Sequence, residues 1–200
     1  MHPAPTFALR DPQPLLDFVA HRGFAVLAAQ GPEGPVTAHA AVIVTSGVLR
    51  FHLSAANRMV AALAERPRLL AVVTGPDAYV SPDWYAAEDQ VPTWNYVAVE
   101  IEGEARALDR AGARTLLDDL SAHFEAKLAP KPPWTTAKMT PAKLEALLGG
   151  IVAYEAPIAR LEGTWKLSQN KPGEVSRVAA ALEVLPDAGA QGVARLMRGI

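Results

Sequence analysis

The chain has 200 residues, half of them apolar and a fifth charged, which is enough for one sizeable core and lies outside the composition of disordered segments. It has no cysteine, which excludes disulfides, thiolate metal sites and a cysteine nucleophile; nineteen basic against twenty-one acidic side chains leave a net charge of −2 and no global attraction for nucleic acid. No apolar run reaches the ~20 residues of a membrane span, and the opening MHPAPTFALRDPQPL lacks the basic-then-apolar layout of a signal peptide, so no membrane partner and a cytoplasmic setting are expected.

In chain order, Asp11-Pro12 is a helix start, an acceptor at the N-cap followed by proline at the first helical position. Leu15, Leu16, Phe18 and Val19 give that helix an apolar face, and Gly23 ends it. Residues 24–29 and 36–44 read as strands joined by the five-residue connection GPEGP, and Ser46-Gly47 turns the chain into a third strand over 48–53, an antiparallel meander. Asn57 can cap a helix running to Arg66, with Met59, Val60, Leu63 and Ala64 at helical spacing, and 69–74 returns to strand.

The next stretch, GPDAYVSPDWYAAEDQVPTWNYVAVEIEG over 75–103, holds two of the four tryptophans and three of the four tyrosines. Pro76, Pro82 and Pro92 predict a stiff, shaped loop over 75–95, and the alternation of Val97, Val99 and Ile101 with Ala98, Glu100 and Glu102 predicts a strand over 96–108. That loop is expected either to carry chemistry or to plug the edge of a barrel with its aromatics. From Asp109 the period becomes helical, with Leu116, Leu117, Leu120 and Phe124 as a stripe; after the break at 129–134 a second helix starts at Thr140-Pro141 and stops at Gly149-Gly150. Residues 151–161 form another predicted strand, in which Pro157 argues for an edge or a bulge. The segment 163–170 then reads as a loop, followed by helices over 172–184 and 188–198. This order predicts a mixed α+β fold, a six-stranded antiparallel barrel with flanking helices and a helical C-terminal tail. The barrel domain is expected over 1–165, with 166–200 packed on it as a ligand-facing loop and the helical tail. The histidines at 2, 21, 39, 52 and 123 are scattered singly, without metal spacing or a serine–acid arrangement, so neither a metal site nor a hydrolase is expected.

DAYVSPDWY (77–85), VPTWNYVAVEIEG (91–103) and GIVAYEAPIARLEGTWKLSQN (150–170) resemble the FMN-binding negative transcriptional regulator family of the PaiB type, and the flanking elements match along nearly the whole chain. The resemblance implies a split β-barrel of the kind found in pyridoxamine-phosphate oxidases and flavin reductases. It also implies FMN as cofactor and a homodimer with flavin at the subunit interface.

Three segments would build that site. The second and third strands bring Thr37 and His39 in THAAV, and FHLSAANR brings Ser54, Asn57 and Arg58, whose hydroxyl, amide and cation suit a phosphate at a helix start. Read without the family, Asn57 is an N-cap and Arg58 a solvated side chain. The family pattern has an arginine before the Ala-Asn pair and an aromatic a few residues on, where this chain has Ala55 and Val60, which points to a weaker phosphate site. In the second segment Trp94 offers a π-face for an isoalloxazine ring and Asn95 an amide for its imide edge, by analogy from the partner subunit; the commoner fate of such residues is that Trp94 packs in a dimer core and Asn95 satisfies loop backbone. The third segment, Trp165, Lys166, Gln169 and Asn170 with their neighbours, has a composition suited to a ligand-facing loop, as the resemblance also implies.

Two function classes follow: a flavin-dependent oxidoreductase in which FMN carries the redox step, or a regulator that senses FMN or binds DNA or a protein. From Lys166 onward five basic residues face three acidic ones, too small an excess for a DNA-binding stripe, so tight DNA binding is not expected.

Overall fold

The structure, a computed structural model, describes residues 2–199. In chain order its strands and α-helices are β1 (Ala8–Leu9), α1 (Pro12–Arg22), β2 (Phe24–Gly31), β3 (Gly34–Thr45), β4 (Val48–Ser54), α2 (Arg58–Glu65), β5 (Arg68–Val80), β6 (Thr93–Glu104), β7 (Arg106–Ala107), α3 (Arg110–Ala126), α4 (Pro141–Leu148), β8 (Ile151–Lys166), α5 (Val175–Glu183) and α6 (Ala188–Met197). The sheet runs β1-β8-β4-β3-β2-β5-β6, and β8 also pairs with β6, which closes six strands into a ring. This is the mixed α+β, antiparallel barrel that the order of elements predicts. The described residues fall into two compact units, one of residues 2–15, 74–100 and 162–199, the other of Leu16–Val73 and Ile101–Leu161.

The second unit holds the meander. Along β2 the buried Ala25, Leu27 and Ala29 alternate with the more exposed Phe24, Val26 and Ala28, as a strand with one packed face requires. β2 pairs with β3 in a register that sets Val26 against His39 and Ala28 against Thr37, and with β5 from Val26↔Val72 to Ala29↔Leu69. Asn57 caps α2 by accepting from the Met59 N–H at 2.9 Å, and Met59, Ala62 and Leu63 are the buried face of that helix. Leu116 and Leu120 of α3 and Leu144 and Leu148 of α4 form one apolar cluster with Ile43 of β3 and Ala153 of β8.

Several boundaries differ from the sequence reading. The GPEGP connection is a two-residue loop, because Gly31 and Gly34 already pair and only Pro32-Glu33 lie outside the ladder. The expected loop over 75–95 is a loop only over 81–92: β5 continues to Val80, with Ala78 and Val80 buried and Asp77 and Tyr79 exposed in strand alternation. Gly75-Pro76 does not break β5, because α6 lies along it at glycines: a Cβ on Gly189 would stand 2.6 Å from the Asp77 carbonyl oxygen, and one on Gly192 would stand 2.7 Å from the Pro76 ring. The strand expected from 96 begins at Thr93 and ends at Glu104, since Arg106-Ala107 form their own short strand on β8. β8 runs on to Lys166, so Trp165 and Lys166 end a strand rather than belong to a loop. Pro157 is not on an edge strand; it closes the β4–β8 ladder opposite Val48.

Candidate functional site

The sequence-predicted residues divide between the two units. In the second, Ser54 ends β4 and Asn57 and Arg58 open α2. The Ser54 hydroxyl accepts from the Ala56 N–H at 3.4 Å and keeps its own proton to donate. Asn57 spends its amide oxygen on the cap and retains its NH2. The Arg58 guanidinium is exposed and has no hydrogen-bond or ion-pair partner among the described residues. A hydroxyl, an amide and a free cation at the start of a helix make a donor set for a phosphate dianion. Ala55 contributes no side-chain donor to it, so Arg58 is its only arginine. Thr37 and His39 stand on the exposed side of β3, where the His39 ring stacks near Phe24 at 6.1 Å between centroids.

The same unit holds a part-buried polar pair that sequence reading did not single out. On the β4 side covered by α3, Arg50 pairs with Asp119 at 2.5 Å, while its Nε and the Nδ1 of His52 are buried without partners among the described residues. Burial holds the His52 imidazole below its ordinary pKa.

In the first unit the structure brings the other predicted residues together. Asn95 is 1 % exposed, and its amide donates to the Ser168 hydroxyl at 2.9 Å and to the Met197 sulfur at 3.5 Å; Ser168 donates back to the Asn95 oxygen at 3.3 Å. Asn95 therefore ties β6 to the turn after β8, and its amide is spent inside the protein. Lys166 donates to the Thr93 hydroxyl and, at 2.6 Å, to the Trp94 carbonyl; burial, with Lys171 as a second cause, lowers its pKa. Gln169 closes the turn on itself, accepting from the Leu167 N–H at 2.8 Å and donating to the Trp165 carbonyl. Asn170 is exposed at the tip of that turn, and Trp165 is half-buried. Ser168, which sequence reading passed over, adopts the left-handed region at φ 63° to make these contacts.

The aromatic loop is fastened from the C-terminal side. The Glu174 carboxylate accepts from the N–H groups of Ala86 at 3.0 Å and Ala87 at 3.3 Å. Lys171 bonds Gln90 and lies 4.2 Å over the Tyr85 ring. Trp94 and Tyr79, by contrast, are 54 % and 47 % exposed and meet edge to face at 6.3 Å.

A family model described as "Putative FMN-binding domain" matches residues 1–160. The chain belongs to that family. Solved structures share the fold. The FAD and heme binding protein from Mycobacterium smegmatis superposes with a TM-score of 0.59 at 18% identity over 80% of this chain and 73% of that one. The flavocytochrome Anf3 from Azotobacter vinelandii superposes with a TM-score of 0.58 at 17% identity over 82% and 72%. The Bacillus subtilis "Protease synthase and sporulation protein PAI 2" is 35% identical over 103 residues, 52% of this chain, which spans only 48% of that protein's length. An uncharacterized protein of Emericella nidulans, AN0679, is 26% identical over 96% of this chain and 86% of its own.

The FMN-binding family is thus the one that the sequence motifs resemble, and the residues present fit its cofactor in part. Ser54, Asn57 and Arg58 suit the phosphate, and the exposed face of Trp94 suits a flat ring. Asn95, Lys166 and Gln169 are committed to holding the β6 and β8 ends in place.

Proposed function

We propose that the chain works as a homodimeric FMN protein whose flavin phosphate is held by Ser54, Asn57 and Arg58, with Thr37 and His39 beside it on β3. The observation that carries this reading is the exposed Arg58 guanidinium, free of any partner among the described residues, beside a hydroxyl and an amide with donors to spare. Trp94 and Asn170, the members of the second and third segments whose side chains are exposed and uncommitted, face the flavin ring from the partner subunit. Trp165 is half-buried at the end of β8, and Asn95, Lys166 and Gln169 position the segment ends. When bound, FMN supplies one- and two-electron redox chemistry; the protein binds and orients it, and no ionisable side chain need act as acid or base.

Support for the dimer comes from the outer side of the meander. Phe24 is 51 % exposed, and Val26, Ala28, Leu70 and Val72 beside it are only half-buried, an apolar sheet face that a second copy would cover. Any influence on transcription then runs through the flavin state, because the apolar faces of α5 and α6, with Val178, Leu182, Val193 and Met197, are buried rather than offered to a DNA groove.

The test is the affinity of the purified protein for FMN against riboflavin, read by flavin fluorescence. Charge-assisted contacts to phosphate at about 1.5–3 kcal/mol predict riboflavin weaker by roughly ten- to hundredfold, and Arg58→Ala should erase most of that difference. Equal affinities would refute the phosphate assignment. A monomer in sedimentation at micromolar concentration would refute the dimer.

A further inference from the structure

A second cleft, of about 550 Å³, opens in the first unit between the end of β5, the aromatic loop, the start of β6 and the start of α6. Its walls carry the rings of Tyr79, Trp84 and Trp94 and the carboxylates of Asp77 and Asp187. Tyr79 and Trp94 are about half exposed, line the cleft and meet each other edge to face, so their faces are not stacked on one another. Asp187 caps α6, accepting from the Ala190 N–H at 2.6 Å, and its charge offsets the positive end of that helix. Asp77 is exposed and has no partner among the described residues. Among the described residues that line the cleft none is a lysine or arginine.

From this geometry we infer that the cleft binds a small organic cation, an alkylated ammonium group seated against Tyr79, Trp84 and Trp94 with Asp77 as counter-charge. Aromatic faces carry negative electrostatic potential and attract a diffuse, weakly hydrated cation. A phosphate or carboxylate would meet the free Asp77 carboxylate and a second one at Asp187, which disfavours an anion. A divalent metal would need several converging oxygens, and the cleft offers three rings and two carboxylates, one of them already spent on a helix cap. A neutral apolar ligand would find the rings but gain nothing from the carboxylates. The local backbone preserves the space: Gly189 lets α6 approach Asp77, where a Cβ would stand 2.6 Å from the Asp77 carbonyl oxygen. Trp94 also serves the FMN reading, but Asp77, Tyr79 and Trp84 do not, so the test is read at Asp77, where failure of one reading leaves the other untouched.

The test titrates the purified protein with choline, and separately with its uncharged isostere 3,3-dimethyl-1-butanol, following tryptophan fluorescence and heat. Saturable choline binding is expected, with the isostere about tenfold weaker or more, the ratio that cation–π attraction and a counter-charge supply. Asp77→Asn, at an exposed position that should not disturb folding, should weaken choline several-fold and leave the isostere unchanged. FMN affinity in the same variant should not move. Equal binding of choline and the isostere would reduce the cleft to an apolar hollow and overturn the proposal, as would the absence of saturation or an unchanged choline affinity in Asp77→Asn. Preferential binding of inorganic phosphate would overturn it too.

Discussion

Replacing Asn95 by alanine separates a contact residue from a residue that holds the frame. In the structure Asn95 is 1 % and Ser168 4 % exposed, and the two exchange hydrogen bonds at 2.9 and 3.3 Å. Asn95→Ala removes both bonds, strands the Ser168 hydroxyl in a dry site and leaves a small void. The stranded group costs ~1–3 kcal/mol and the void adds about 1 kcal/mol, so the cost is about 2–4 kcal/mol. For a domain of this size that lowers the melting temperature by roughly 5–15 °C. Ser168→Ala removes the same pair from the other side and keeps a non-glycine residue at φ 63°, so the backbone strain cancels in a double-mutant cycle. The double variant should cost less than the sum of the singles by about 1–3 kcal/mol. Urea unfolding of the four proteins measures this. Were Asn95→Ala to cost under ~0.5 kcal/mol while weakening FMN directly, or were the two changes simply additive, the assignment of Asn95 to the frame would be wrong.

Further expectations follow from other positions. Gly103→Ala places a Cβ 2.5 Å from the Pro157 carbonyl oxygen, backbone that cannot swing away, and should cost about 1–3 kcal/mol in thermal unfolding. Burial lowers the His52 pKa, so below its ordinary 6.5 the unfolded chain takes up a proton that the folded one resists; stability should fall as pH drops from 6.5 toward the folded value, and His52→Leu should flatten that limb. Lys166 has the same sign at the other end of the scale: its lowered pKa means stability rises as pH climbs through the window just below 10.5, a trend that Lys166→Met should remove. In a gel shift at physiological salt the protein should show no nanomolar, sequence-specific DNA complex; such a complex would favour direct repression.

What was legible in the sequence is mostly what local chemistry decides. The caps at Asp11, Asn57, Asp109 and Thr140 each accept a backbone N–H as their residue types demand. The meander followed from its apolar runs and from Ser46-Gly47, both of which take positive φ. The misread places depend on distant partners. Gly75-Pro76 looks like a turn and becomes strand because α6, more than a hundred residues later, presents Gly189 and Gly192 there. Asn95 looks like a ligand group beside an aromatic, and nothing nearby in sequence announces Ser168 as its partner. The aromatic density of 77–94 was plain, but the two carboxylates and the helix that turn it into a cleft come partly from Asp187 onward.

Glu174 holds two backbone N–H groups of the aromatic loop, and Lys171 holds Gln90 and the Tyr85 ring, so the loop cannot open without the start of α5 letting go. Loop and helical hairpin should therefore exchange their amide hydrogens as one cooperative unit, with similar opening free energies despite lying more than eighty residues apart in sequence. Whatever loosens residues 171–174 also unlatches Trp84, whose carbonyl accepts from Arg177 at 3.4 Å, and so reshapes the ring-lined cleft without touching it. The C-terminal helices thereby hold the outer wall of that cleft in place.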